Sequence, residues 1–266
     1  MSAPQSKLCC SGEAINSNGW SIAAFTHRGL VRPNNEDAIA VGTDVLTGDM
    51  ISPVIMTAPD DCCLLMVADG IGGHARGAMA SRAVLDYLVT AAHRISNPSS
   101  CTEAVEDANQ DLYAIMQQHD ATLGMGATVA GALLSPTVLL AFNVGDSRCY
   151  LLTADRLIQL SHDDVADEAT NRSGHRRSHA ITQSLGGSSF PVAVETHINV
   201  DVPLKLGEAI LLCTDGLTDL VSDDDITHAL TRMTDPGLAT RHLAALAFRH
   251  GGHDNISIVV ARRARA

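Results

Sequence analysis

Acidic residues at the ends of apolar runs are the feature of this sequence best suited to chemistry. Asp69 follows the run from Cys62 to Ala68 and is followed by Gly70. The run is typical of a buried strand, and an Asp-Gly pair after a strand most often forms only a turn. The pattern recurs, however, and acidic residues flank four further apolar runs at Asn35-Glu36-Asp37, Asp146, Asp215 and Asp254. If these carboxylates converge, they provide the hard oxygen ligands that Mg²⁺ or Mn²⁺ requires.

Composition narrows the class of protein. The 266 residues are enough for one large domain, and only 3% are aromatic, so Val, Leu, Ile and Ala must build the core. The net charge of −12 argues against a nucleic-acid partner, because no basic patch is available to neutralise phosphates. The short cluster His175–Arg177 is expected in a loop.

Cysteine usage and hydropathy indicate a cytoplasmic protein without membrane insertion. The seven cysteines are odd in number and form no C-x-x-C pair. Four lie in apolar runs and are expected to be small buried hydrophobes in a reducing compartment: Cys62, Cys63, Cys149 and Cys213. No stretch approaches the roughly 20 apolar residues that cross a bilayer, and the N-terminus lacks a signal-like run.

Hydrophobic periodicity predicts the elements that must position the carboxylates. Strands are expected at Trp20–Thr26, Asp37–Gly42, Cys62–Ala68, Ala127–Leu134, Val138–Asn143, Arg148–Leu152, Val192–Val200 and Glu208–Cys213. Helices are expected over 76–94, around Val105–Ile115, over 223–233 and from Pro236 towards Gly251, with a break at Ser96–Ser100. Residues 43–61 are expected to form a long hairpin connection, and 161–180 a polar surface excursion. Consecutive strands without intervening helices favour antiparallel sheets in a layered α+β fold.

Domain organisation is predicted to be simple. Residues 1–18 show no periodicity and are expected to form a flexible tail. No internal repeat or interdomain linker follows, so residues 19–266 are predicted to form a single domain.

Six motifs occur in order along the chain: Gly29-x-x-Arg32-x-x-Asn35-Glu36-Asp37, Val67-Ala68-Asp69-Gly70-x-Gly72-Gly73-His74, Met125-Gly126-Ala127-Thr128, Asn143-Val144-Gly145-Asp146-Ser147-Arg148, Thr214-Asp215-Gly216-Leu217-x-Asp219 and Asp254-Asn255. This series resembles that of the metal-dependent Ser/Thr protein phosphatases, the protein phosphatase 2C-like family, in its bacterial form. The resemblance runs from about residue 20 to about residue 262. It implies a four-layer sandwich of two antiparallel β-sheets flanked by pairs of helices.

The resemblance also implies a two-metal centre. Asp69 would bridge two Mn²⁺ or Mg²⁺ ions, and the Gly70 carbonyl would bind one of them. Asp215 and Asp254 would complete the second ion, and Asp37 would contribute directly or through water. Two such ions can lower the pKa of a bridging water and hold it in line with a phosphorus atom.

Three further roles are implied at the same site. Asp146 would join Asp215 in holding a weaker third ion, and Glu36 would be an outer ligand. Arg32 would bind the substrate phosphate through its planar fork. Simpler interpretations remain open at this point, because Arg32 suits a solvated loop, Asp146 a turn, and Glu36 a solvent-facing position.

Two functions of different class follow. The favoured one is hydrolysis of phosphoserine and phosphothreonine by direct attack of a metal-activated water. The enzyme is expected to be a monomer, and its phosphoprotein substrates are expected to be products of an opposing Ser/Thr kinase. The alternative is a catalytically weak regulatory binding module on the same fold. Intact acids at positions 37, 69, 215 and 254 favour activity. Many family members carry a general-acid histidine directly after the Asp-Gly pair, where this chain has Ile71, so leaving-group protonation is not assigned to His74.

Overall fold

Fifteen strands and five α-helices lie in the part of the chain that the computed structural model describes, residues 19–59, 61–73, 75–118, 122–154, 156–166 and 180–264. The strands are β1 (Gly19–His27), β2 (Ala38–Val41), β3 (Asp44–Thr47), β4 (Val54–Pro59), β5 (Cys63–Ala68), β6 (Gly70–Ile71), β7 (Gly126–Ala127), β8 (Val129–Leu134), β9 (Leu139–Val144), β10 (Arg148–Leu152), β11 (Leu157–Gln159), β12 (Leu185–Gly186), β13 (His197–Asp201), β14 (Ala209–Cys213) and β15 (Ile256–Arg263). The helices are α1 (Ala75–Ala91), α2 (Pro98–Gln118), α3 (Asp215–Thr218), α4 (Asp223–Arg232) and α5 (Pro236–Arg249).

Two six-stranded antiparallel sheets form the centre of the fold. The first has the strand order β11-β10-β14-β15-β1-β4, and the second has the order β13-β9-β8-β5-β2-β3. In the first sheet, β1 and β15 pair along their whole lengths, from Trp20 opposite Arg263 to His27 opposite Ile256. A small third sheet has the strand order β12-β7-β6, and its strand β6 begins directly after Asp69.

The β5 strand explains why the run before Asp69 is apolar without interruption. Successive side chains of a strand point to opposite faces. Leu64 and Met66 pack into the cluster that contains the helix residues of α1 and α2, whereas Leu65 and Val67 pack into the cluster between the two sheets. Both faces of β5 are therefore buried, and every position must be apolar.

Helices cover the outer face of each sheet. α1 and α2 pack on the second sheet through residues such as Leu88 and Leu112, and α4 and α5 pack on the first sheet through residues such as Leu230 and Leu243. The predicted α+β four-layer sandwich is thus confirmed.

Two predicted helix starts have the expected caps, since Ser222 accepts the Asp225 N–H at 3.2 Å and Asp235 accepts the Leu238 N–H at 2.7 Å.

Three element predictions need correction. Residues 43–61 are not a simple hairpin connection, because they contain β3 and β4, and the chain crosses from the second sheet to the first between them. β4 is an edge strand with mostly exposed residues, so it lacks the buried pattern of an inner strand. The predicted break at Ser96–Ser100 exists but is shorter than expected, because Pro98 already begins α2, where the N–H that proline lacks would have no partner within the helix. The strand predicted at Val192–Val200 is limited to β13.

Two smaller expectations also need revision. Cys62 is exposed rather than buried, since it precedes β5, whereas Cys63, Cys149 and Cys213 are buried as predicted. Asp215 does not simply end a strand, because it begins the short helix α3.

Some predictions fall outside the described residues. These concern the tail 1–18, His74 and the basic cluster 175–177. Among the helices that the structure describes, none combines the length and the apolar character required to cross a membrane.

Candidate metal centre

Asn255 fixes the loop that carries Arg32 and Asp37. Its Oδ1 accepts the Glu36 N–H at 2.8 Å, and its Nδ2 donates to the carbonyl oxygens of Arg28 at 3.1 Å and Asn34 at 2.9 Å. The loop before β2 is therefore tied to the turn before β15, two segments far apart in the chain.

Asp37 is a deeply buried carboxylate with one unsatisfied oxygen. Its Oδ2 accepts the hydroxyls of Thr214 at 2.9 Å and Ser257 at 2.7 Å. Its Oδ1 is also buried but bonds to no residue that the structure describes. Burial raises the pKa of Asp37 to about 7, although the two hydroxyls lower it. Such a carboxylate would be stabilised by a cation.

Asp69 lies at the end of β5 and is held by Thr128. The Asp69 N–H donates to Thr128 Oγ1 at 3.1 Å, and the Thr128 N–H donates to the Asp69 carbonyl at 2.9 Å. Thr128 Oγ1 also lies 2.7 Å from the Ser147 hydroxyl, so the backbone of Asp69 is linked to the residue next to Asp146. The pKa of Asp69 is raised well above its ordinary value by burial and by the carboxylates of Asp37, Asp215, Asp254 and Asp146.

The backbone of Gly70 is packed too closely for a side chain. A Cβ there would overlap the carbonyl oxygens of Gly77 and Glu36. A Cβ on Gly77 would in turn overlap the Glu36 carboxylate, which lies against that glycine. Glycine at both positions allows α1, the Glu36 loop and the Asp69 strand end to meet.

Asp215 and Asp146, like Asp37, are carboxylates with a raised pKa and a buried oxygen. Burial, followed by the charges of Asp146 and Asp254, raises the pKa of Asp215 well above its ordinary value. Burial raises the pKa of Asp146 to about 6. Oδ1 of each is buried and makes no hydrogen bond within the described ranges.

Arg32 contributes positive charge at the edge of this cluster. Its Nη2 donates to Asp254 Oδ2 at 2.6 Å, and its side chain is about half exposed at 55%. This hydrogen bond and the Asp254 charge raise the pKa of Arg32, and the carboxylates of Asp69 and Asp215 add to the effect. The guanidinium is therefore charged and accessible.

The structure brings together the six predicted side chains of the site: Arg32, Asp37, Asp69, Asp146, Asp215 and Asp254. Three buried carboxylate oxygens make no hydrogen bond to the part of the chain that the structure describes, and the clustered carboxylates raise one another's pKa. This donor set fits hard divalent cations. The supporting hydroxyls of Thr214 and Ser257 were missed. Thr214 stands beside a predicted ligand, but nothing in the local pattern at Ser257 indicates its contact with Asp37.

Gly216→Ala provides a local test of this packing. A Cβ on Gly216 would overlap the carbonyl oxygen of Asn255 and push the start of α3 away from the Asp254 turn. We expect a loss of roughly 1–3 kcal/mol in the free energy of unfolding, as for other overpacked positions, together with weaker Mn²⁺ binding. Thermal melting and calorimetry measure both.

The matched control for this substitution is Gly237→Ala. There the added Cβ meets the tip of the exposed Ile55 side chain, which can move, and lies 3.1 Å from Asp235 Oδ1 without meeting any backbone atom that closely. The control should stay close to the parent protein in both measurements. Equal melting and metal binding in Gly216→Ala would contradict the close approach of the two turns.

The comparisons with known proteins agree with this geometry. A model of the family described as protein phosphatase 2C matches residues 48–247. The serine/threonine protein phosphatase PstP of Mycobacterium tuberculosis is 33% identical over 250 residues, covering 90% of this chain and 44% of that protein. The chain thus spans about half the length of this curated relative. The serine/threonine phosphatase Stp of Listeria innocua is 26% identical over 257 residues, covering 90% of this chain and 94% of the relative.

Solved structures show the same fold. The crystal structure of the M. tuberculosis phosphatase PstP matches with a TM-score of 0.73 and 32% identity, covering 92% of this chain and 98% of the other. A structure of the PstP catalytic domain with two manganese ions matches with a TM-score of 0.73 and 31% identity, covering 93% and 99%. The fold, the clustered carboxylates and these similarities lead to one conclusion: the chain belongs to the protein phosphatase 2C family.

Proposed function

We propose that this chain is a Mn²⁺- or Mg²⁺-dependent protein phosphatase that hydrolyses phosphoserine and phosphothreonine. The observation that carries the proposal is the convergence of five aspartates and one accessible arginine on a single site. Relatives named as serine/threonine phosphatases support it. The intact carboxylates favour an active enzyme over a regulatory binding module.

The proposed roles follow the donor set. Asp69 would be shared by two tightly held ions, with the Gly70 carbonyl on one of them and Asp215 and Asp254 on the other. Asp37 would contribute directly or through a water. When bound, two divalent cations supply a deprotonated water at neutral pH and offset phosphate charge. The hydroxyls that bond Asp37 Oδ2 leave its Oδ1 for a cation or its water, and so orient that carboxylate.

A cleft beside the site offers space for the peptide around the phosphorylated residue. It has a volume of about 600 Å³ and is lined by Ile71, which follows Gly70, and by residues of the segments 181–188 and 192–194. We propose that the substrate chain lies in this cleft with its phosphate towards Arg32. We also propose that residues 19–266 form one catalytic domain, which acts as a monomer in the cytoplasm on products of an opposing Ser/Thr kinase. The free thiols of the five described cysteines support a reducing compartment.

Hydrolysis of a phosphothreonine peptide in saturating Mn²⁺ tests the function. We expect multiple turnovers, with release of inorganic phosphate. Binding of the phosphopeptide without turnover would favour the alternative, a regulatory module on the same fold.

Arg32→Ala should weaken phosphate binding without removing a metal ligand. The lost charged hydrogen bond corresponds to about 1.5–3 kcal/mol of transition-state stabilisation, and we expect most of it as a rise in KM. Steady-state kinetics on the phosphothreonine peptide separate KM from kcat. Arg94→Ala, which removes an exposed arginine paired with Asp107, is the control. An unchanged kcat/KM in Arg32→Ala would mean that Arg32 is only a surface loop residue.

Asp146→Ala should lower turnover but keep the two tight ions. Asp146 contributes to the charge around Asp215, yet the proposed third ion is the weakest of the set. Calorimetric titration with Mn²⁺ should lose only the weakest binding event. Disappearance of all binding would contradict this assignment.

A further inference from the structure

A second group of metal-ligating side chains lies outside the aspartate cluster. The ligand atoms of His162, Asp164 and His197 all lie within 4.8 Å of one another. His197 Nε2 is 2.8 Å from Asp164 Oδ1, and the ring centroids of the two histidines are 4.6 Å apart. Two imidazoles and one carboxylate therefore point at a common place.

One asparagine positions both histidines. Asn143 in β9 pairs directly with His197 in β13. The side chain of the same residue accepts the His162 N–H at 2.9 Å and donates to the His162 carbonyl at 2.7 Å. The backbones of the two histidines are thus both tied to β9, His197 through strand pairing and His162 through the Asn143 side chain.

The Asp164 carboxylate is oriented by donors on its other oxygen. Oδ2 accepts the Gly145 N–H and Gln183 Nε2, both at 2.8 Å, which leaves Oδ1 for His197. Gln183 is fixed in turn by the backbone of Glu195, to which it donates at 2.9 Å and from which it accepts at 2.6 Å. Carboxylates that ligate metals are commonly held in this way by a hydrogen bond to the remaining oxygen.

We propose that His162, Asp164 and His197 form a binding site for a borderline divalent transition metal, with Zn²⁺ as the expected ion. Imidazole nitrogens favour zinc over manganese or magnesium, which prefer the all-oxygen donors of the aspartate cluster. Three protein ligands leave the fourth position to water or to an external ligand. His162 is exposed, which provides the entry path.

The geometry requires only a small adjustment. Zinc bonds of about 2.0–2.1 Å in a tetrahedron separate neighbouring ligand atoms by about 3.3 Å. The contact between Asp164 and His197 must lengthen from 2.8 Å, and the two rings must approach the same point. The site is independent of the phosphatase proposal, although Gly145, which donates to Asp164, directly precedes Asp146.

Side-chain ¹⁵N NMR of the histidines in the full chain provides the test. The protein is held in excess Mg²⁺ and titrated with one equivalent of Zn²⁺. The proposed ligands of the aspartate cluster include no histidine, so zinc captured there shifts no ring nitrogen to a metal-bound value. We expect two rings to shift, and both shifts to be lost in His162→Gln and in His197→Gln. His197→Gln retains a group that can donate to Asp164, so it separates loss of the ligand from loss of the fold.

The controls determine the interpretation. Each ligand variant should bind Zn²⁺ at least about a hundredfold more weakly than the parent protein. A loss of this size exceeds the effect of changing a residue that only hydrogen-bonds a metal ligand. His228→Gln, at an exposed histidine of α4, should behave as the parent protein. The proposal would be overturned if zinc shifted the nitrogen signals of no histidine or of only one. It would also be overturned if the same two signals still shifted in His197→Gln. His197 and Asp164 would then be only a hydrogen-bonded pair.

Discussion

Asp69→Asn should reduce turnover at least about a thousandfold, comparable to loss of a major electrostatic element of an active site. The amide keeps the volume of the side chain but removes the charge that offsets two cations. Asp69 is also the residue whose pKa is raised by all four of the other clustered aspartates. Loss of this one charge is therefore expected to damage both tight metal sites together.

The same substitution should leave the metal-free fold intact. Without cations the cluster repels itself, and a neutral amide relieves part of this repulsion. Activity in saturating Mn²⁺ and thermal melting with and without metal are measured side by side. Asp86→Asn, which removes only an exposed pair with Arg82, is the control. Near-normal activity, or a metal-free form that melts far below the metal-free parent, would make Asp69 a structural turn residue.

Metal removal should abolish activity and lower the melting temperature, both reversibly. The buried Oδ1 atoms of Asp37, Asp146 and Asp215 make no hydrogen bond to the described residues, and a bound cation would satisfy them. A ligand that binds only the folded state stabilises it by about 2.7 kcal/mol at a concentration one hundred times its Kd. Restoring Mn²⁺ to the stripped protein should recover both the turnover and the melting temperature.

Asp215→Asn separates specific binding from general salt effects in this experiment. The variant should show a smaller Mn²⁺-dependent rise in melting temperature than the parent, whereas an equal ionic strength of NaCl should produce no such rise in either. Hydrolysis of the phosphothreonine peptide at an undiminished rate in excess chelator, after stripping, would refute a metal-dependent mechanism.

Local pattern was sufficient for much of the fold. The uninterrupted apolar run before Asp69 predicted a buried strand, and β5 is buried because helices cover one of its faces and the other sheet covers the second. Asp235 and Pro236 predicted the start of α5 because a cap and a proline act within one helical turn. The clustered aspartates were predictable because each one follows or precedes its own apolar run.

The strand and the contacts that the local sequence pattern did not predict depend on residues far away in the chain. β4 has mostly exposed residues and exists because β1 offers it an edge to pair with. The Ser257 hydroxyl meets Asp37 across 220 positions of the chain, so no window of neighbouring residues contains both. His197 and Asp164 likewise meet only after β13 has paired with β9.

The pairing of β1 with β15 has a consequence for synthesis. β1 is an inner strand of its sheet, between the edge strand β4 and β15, and β15 leaves the ribosome long after β1. Until Ile256–Arg263 emerges, Asp37 lacks the Ser257 hydroxyl, the Arg32 loop lacks the adjoining Asn255 clamp, and half of the β1 backbone has no partner. Folding that waits for such distant pairings is intrinsically slow. A nascent or truncated chain that lacks Ile256–Arg263 would therefore have neither a supported Asp37 nor an anchored Arg32 loop, so we expect no turnover at the proposed site until this strand has been made.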